Sequence, residues 1–149
     1  LFLHPDGAHE RGNNASCVLR IETGGRAILL TGDIERRVER RLVARLGTAL
    51  QSDILIAGHH GSASSTSTEF LKTVSPDWVL FSSGYANHFG FPAMTVRERI
   101  AGLGIPMLDT GILGAIRLRL DADGGLDGPW GWRERHGRLW THRPEDLRP

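Results

Sequence analysis

At 149 residues and a formal net charge of +1, the chain is long enough to bury a core and carries no overall field that would draw it to nucleic acid. Its hydrophobic fraction of 40% and charged fraction of 23% are ordinary for a globular domain. The single cysteine, Cys17, excludes an internal disulfide and a cysteine-cluster zinc site, and no apolar run reaches the roughly 18 residues of a membrane span.

The chain opens on Leu1-Phe2-Leu3 without an initiator Met or a signal peptide, and so reads as a piece of something longer. Leu1 to His4 predicts a short strand closed by Pro5, with a polar loop through Asn14. Cys17–Ile21 and Ala27–Thr31 flank Gly24-Gly25, which predicts a hairpin whose second arm is buried on both faces, with Cys17 a buried small hydrophobe. Ile34, Val38, Leu42 and Leu46 recur at four-residue intervals, predicting a helix with Asp33 at its N-cap and Gly47 just past its end.

Asp53–Ala57 is a strand, and Thr66 with Glu69 predicts a capping box for a short helix through Val74. Trp78–Ser82 is the next strand, followed by a loop rich in aromatics and glycine, a helix from about Met94 to Leu103, and strands at Ile105–Leu108 and Gly114–Leu120. The sheet is expected to include Gly114–Leu120. After Asp121 no clean periodicity remains; Trp130, Trp132, Trp140, five Arg and two His make an appended segment or tail. Strands alternating with helices give an α/β layer.

Two places hold residues with chemistry. His59 and His60 follow the apolar run Ile54–Ala57 directly, between Gly58 and Gly61 and ahead of a Ser- and Thr-rich stretch. Paired imidazoles at the carboxyl end of a buried strand stand where open α/β sheets bind ligands; the bland alternative is a loop with two solvated histidines. Asp33 also ends a buried strand, so adjacent strands could bring it to the histidines as a site for Zn²⁺ or Mn²⁺. Spacing alone leaves that reading level with a simple helix cap.

Leu29-Leu30-Thr31-Gly32-Asp33-Ile34-Glu35, His59-His60-Gly61-Ser62 after an apolar strand, and Asn87-His88-Phe89-Gly90 ahead of Pro92 together resemble the metallo-β-lactamase-like domain of ComEC-type DNA-uptake proteins. Asn13 through Arg20 and Thr110 through Ile116 fit the same pattern, so the resemblance runs in order from about Asn13 to Leu120. The Trp- and Arg-rich ending is similar to the tails of proteobacterial members.

The resemblance implies the C-terminal half of a metallo-β-lactamase-like αβ/βα sandwich, a mixed sheet with helices on one face. Residues 1–120 would be the partial domain and 121–149 a C-terminal extension. Asp33 corresponds to a metal-bridging carboxylate, and the His59-His60 pair contains a late histidine ligand for a divalent metal, Zn or Mn. The other histidine would hold a phosphate oxygen or protonate a leaving group. Ser62, Ser64, Ser65, Asn87 and His88 would contact substrate, or in the case of the serines orient the ligands. The partners implied are single-stranded DNA and the rest of one membrane channel protein, with this domain on the extracytoplasmic side of the inner or plasma membrane.

Two departures qualify the resemblance. The family's His-x-Asp-x-Asp-His motif is absent and would lie upstream of Asn13, and Phe91 stands before Pro92 where a histidine is usual, with His88 three positions away. At most three ligands then remain, so the chain by itself is expected to be inactive. A bare sheet face would favour a homodimer, or a fold-back of the Trp130–Trp140 tail. Competing readings are a degenerate module that guides single-stranded DNA over Phe89, Phe91, Trp130 and Trp132, and another metallo-hydrolase of the same fold.

Overall fold

The computed structural model describes residues 1–6 and 10–137; Trp140 and the rest of 138–149 lie outside the described residues. Three apolar runs form the centre: β3 (Arg26–Leu30), β4 (Ile54–Ile56) and β5 (Trp78–Phe81), parallel and in register, with Leu29 opposite Leu55 and Leu55 opposite Val79. β6 (Met107–Asp109) adds a fourth parallel strand at one edge. On the other side β2 (Val18–Thr23) and β1 (Phe2–His4) run antiparallel, so the six-stranded sheet is mixed, in the order β1-β2-β3-β4-β5-β6. The β2–β3 turn is Gly24-Gly25, with φ of +54° and +77°, the doubly left-handed geometry of the tightest hairpin turns.

The crossovers are α1 (Arg36–Leu46), α2 (Thr68–Val74) and α3 (Met94–Ala101). Right-handed crossovers that step always in one direction place their helices on the same face. α1 accordingly touches α2 and α2 touches α3. Beneath them Val38, Leu42, Phe70, Leu71, Val74, Val96 and Ile100 bury against Leu29, Leu55, Val79 and Phe81.

Local details depart from the expectations. α1 begins at Arg36 with Glu35 in the N-cap position, so Asp33 is not its cap, although Ile34 is fully buried just ahead of it. Gly47 does end the helix, with φ +49°. Ser67, not Thr66, caps α2 by accepting from the Phe70 N–H, while Thr66 is buried with φ +51°. Cys17 is exposed: the strand's alternation turns Val18 inward and leaves the cysteine outside.

The Gly114–Leu120 strand is corrected as well. β6 ends at Asp109, where α4 (Thr110–Leu113) and Gly114, with φ +75°, turn the chain off the sheet. β7 (Ile116–Leu120) then pairs antiparallel with β8 (Leu126–Gly131) in a separate two-stranded hairpin, continued by a short helix, α5 (Trp132–Arg135). Gly128 and Pro129 inside β8 hide its strand character from any test of alternation.

The turn of that hairpin meets the β2–β3 turn backbone to backbone, Gly124 against Gly24, where neither position has room for a side chain. On the sheet face turned away from the helices, Ile54 and Leu80 are buried, whereas Phe2 and Ile21 near the β1 edge are exposed. Among the described residues no helix is long and apolar enough to cross a membrane.

Candidate functional site

Because β3, β4 and β5 are parallel, the segments that follow them gather at one edge of the sheet. Thr31-Gly32-Asp33 follows β3, Gly58–Gly61 follows β4, and Ser82-Ser83-Gly84 follows β5. The first two are laced together: His59 N donates to Gly32 O at 2.9 Å and Thr31 Oγ1 to Ile56 O at 2.7 Å. An open cleft of about 580 Å³ lies over this edge, lined by Asp33, His59, His60, the Ser82–Gly84 segment, Asn87, Phe89 and Phe91.

The histidine turn is strained. His59 and His60 both occupy the left-handed region, at φ +49° and +55°, where a side chain other than glycine costs of order 1–3 kcal/mol. The flanking glycines are closely packed. A Cβ at Gly61 would lie 2.6 Å from Pro92 Cβ, and one at Gly58 would lie 3.0 Å from Ile34 O. The turn aims the two imidazoles differently, with ring centroids 6.4 Å apart.

His60 points at Asp33. Its Nδ1 lies 2.8 Å from the carbonyl oxygen of Ser82, and its Nε2 lies 3.5 Å from Asp33 Oδ1. A carbonyl only accepts, so Nδ1 carries the proton and in the neutral ring Nε2 presents its lone pair. Two acceptors then face one another across a half-exposed gap. That arrangement favours a cation between them, and an imidazole held by its other N–H on a carbonyl is the usual posture of a metal-ligating histidine.

His59 is engaged otherwise. Asn13 Nδ2 approaches its Nε2 at 3.3 Å, Glu35 Oε1 stands 3.7 Å from its Nδ1, and the Phe91 ring meets it edge-on at 5.7 Å. Glu35 is itself fixed by Asn14 Nδ2 at 3.2 Å and Ser64 Oγ at 2.9 Å. Asn13 and Glu35 were missed as site residues. Asn13 lies 20 positions before Asp33 and is brought there by β2; Glu35 looked like part of a helix's polar face.

The remaining expected residues divide. Ser65 is fully buried and donates to Gly58 O at 2.6 Å, Ser64 serves Glu35, and Ser62 Oγ lies 3.2 Å from Ser64 Oγ. These three brace the histidine turn and do not line the cleft. Asn87 lines it, but its amide is occupied: it donates to Gly84 O at 2.9 Å and Phe91 O at 2.6 Å and accepts from Phe91 N at 2.9 Å. The His88 ring lies against that of Phe89, 3.8 Å between centroids and tilted by 38°, and is not among the lining residues. Phe89 stacks in turn on Phe91 at 5.5 Å with planes 17° apart, giving the cleft an aromatic wall.

Asp33 and His60 suit one edge of a divalent-metal site, a carboxylate and a neutral imidazole with its proton held away. Among the described residues no three histidine, cysteine or acidic side chains converge, so two donors stand where a tetrahedral ion takes four.

No family model matches the chain. Curated proteins do. It is 44% identical over 112 residues, 75% of this chain, to Competence protein ComA of Neisseria gonorrhoeae. It is 36% identical over 123 residues, 82% of this chain, to Recombination protein 2 of Haemophilus influenzae, and 36% identical over 115 residues, 77% of this chain, to ComE operon protein 3 of Bacillus subtilis. The chain is homologous to part of competence proteins. It spans only 16%, 15% and 14% of the length of those three relatives.

Proposed function

We propose that this chain is the later portion of a metallo-β-lactamase-like hydrolase domain in a DNA-uptake protein, and that it contributes Asp33 and His60 to a divalent-metal centre. The observation that carries the reading is the approach of His60 Nε2 to Asp33 Oδ1, 3.5 Å, at the edge where β3 and β4 end. The names of the homologues support a role in competence, and DNA is the substrate class that such a role would bring. The remaining ligands would come from elsewhere in the longer protein, so the chain alone should not cleave.

A bound Zn²⁺ or Mn²⁺ would lower the pKa of a water and polarise a phosphodiester. Ser82 O fixes the tautomer and the direction of His60. The Asp33 carboxylate offsets positive charge at the same edge. His59, between the Asn13 amide and Glu35, is placed to exchange a proton with a leaving oxygen. Phe89 and Phe91 would stack on bases of a single strand and exclude water from one side.

The test is manganese-dependent cleavage of a labelled single-stranded oligonucleotide. The longer protein should cleave and lose activity in Asp33→Ala, while the 149-residue chain stays silent. Activity untouched by Asp33→Ala would remove this reading.

One observation favours a second reading, a strand-guiding module without hydrolysis. Phe89 is 66% exposed on a stacked aromatic pair in the cleft, a ready platform for a base. Strand binding by the longer protein with no cleavage under any divalent metal would select it.

A further inference from the structure

The arginines of α1 fall into two rows. Arg37, Arg41 and Arg45 are in direct ion pairs: Arg37 pairs with Glu10, Arg41 reaches Glu10 at 2.6 Å and Asp6 at 3.5 Å, and Arg45 pairs with Asp6. Arg36 and Arg40, one turn apart on the other side, have no carboxylate partner among the described residues. They share an open pocket of about 400 Å³ with Arg99 of α3, and Ser67, Thr68 and Glu69 complete its wall. Glu69 is the one acid there, against three guanidinium groups.

The pocket is held in shape from beneath. Arg99 Nη1 donates to Ser65 O at 3.0 Å and Thr66 O at 2.8 Å, and Arg36 Nη2 donates to Ala63 O at 3.1 Å. These are contacts to neutral carbonyls, so they orient the cations without cancelling their charge. Arg40 has no hydrogen-bond or ion-pair partner among the described residues and is exposed. Below lies Glu39, whose carboxylate accepts from the backbone N–H groups of Thr66 and Ser67. The Arg99 pKa is pushed down, first by burial and then by the charge of Arg36, an effect that Glu39 only partly offsets. Three guanidinium groups thus stand around one hollow, and among the described residues none of them is in a direct ion pair.

We propose that this pocket binds a backbone phosphate of a polynucleotide strand through Arg36, Arg40 and Arg99. Guanidinium forks match phosphate oxygens, and several converging on one open hollow suit a group with oxygens on every side. A strand is favoured over a small anion by position. The loop that presents His59 and His60 to the cleft continues into Ser67 and Thr68 at the pocket, and Arg36 follows directly after Glu35, the neighbour of His59. One strand crossing that loop would meet both places. The inference rests on the proposed function only in taking DNA as the strand; it requires neither a metal nor hydrolysis.

The test is fluorescence anisotropy of a labelled oligothymidylate with the 149-residue chain, in EDTA, across a salt series. Arg40→Gln should weaken binding and flatten the log–log salt slope by about 0.7, the share of one phosphate contact on single strands. Arg37→Gln removes the same charge from the paired row and should keep the wild-type slope. Equal losses in both variants, no loss in either, or no binding by the wild type would overturn the proposal. So would binding of inorganic phosphate, read by calorimetry, that the oligonucleotide cannot displace. Loss of binding in Asp33→Ala with Arg40→Gln unaffected would put the strand in the cleft alone, ending the pocket proposal and leaving the metal reading intact.

Discussion

His60 donates from Nδ1 to the carbonyl oxygen of Ser82 across 2.8 Å. Everything proposed for the cleft follows from that bond, because it decides which imidazole nitrogen faces Asp33. The expected outcome is direct. In ¹⁵N-detected spectra, the neutral form of His60 should carry its proton on Nδ1 and leave Nε2 bare. Zinc addition should move the Nε2 resonance and leave Nδ1 protonated. A neutral His60 protonated at Nε2 would reverse its orientation and its role.

The left-handed backbone of the histidine turn predicts a trade between stability and function. Glycine takes φ +55° without the penalty a Cβ pays, about 1–2 kcal/mol. His60→Gly should therefore be more stable than His60→Ala by about 1 kcal/mol in urea unfolding, although both lose the ligand. Equal stability of the two would mean that the turn relaxes and stores no strain.

Under the helices, Leu42 is 2% exposed and packs in the cluster with Val38, Leu71 and Val74. Leu42→Ala should cost about 2–5 kcal/mol, the transfer of its methyl groups plus an unfilled cavity. Chemical denaturation measures it, and a loss below about 0.5 kcal/mol, the scale of an ordinary surface change, would show that the stripe is not core.

Asp53 joins the start of β4 to β3, accepting from Ala27 N at 2.7 Å and Arg26 Nη1 at 2.6 Å. Burial alone would raise its pKa; the Ala27 N–H and the Arg26 guanidinium outweigh burial and hold it below the usual carboxylate range. A depressed acid stabilises the fold above its unfolded pKa of about 3.9 and loses that contribution as pH falls through the folded value. Asp53→Asn should therefore cost about 1.5–3 kcal/mol at pH 7, with the gap to wild type narrowing below about pH 4. A gap independent of pH would make the contact geometric and not electrostatic.

What could be read from the sequence was whatever local periodicity or composition decides. The apolar runs of β3, β4 and β5 and the four-residue stripe of α1 announced themselves, and parallel strands then had to deliver Asp33 and the histidine turn to one edge. Elements settled by distant partners stayed hidden. β8 contains Gly128 and Pro129 and becomes a strand only because β7 lies beside it. Thr66 and Glu69 have the spacing of a capping box, but buried Glu39 takes the N–H groups of Thr66 and Ser67, and the cap moves one residue on. The choice between His59 and His60 was illegible for the same reason, since it depends on Ser82 and Asn13, 22 and 46 positions away from their partners.

The central claim is that Asp33 and His60, not His59, form the metal-binding edge of this chain. Calorimetric titration of Zn²⁺ into the wild type, Asp33→Ala, His60→Ala and His59→Ala tests it most directly. The account predicts weak binding to the wild type, a loss of tenfold or more in Asp33→Ala and His60→Ala, on the scale reached even by changes around a metal's ligands, and near-wild-type affinity in His59→Ala. Binding that survives His60→Ala and disappears in His59→Ala would contradict it.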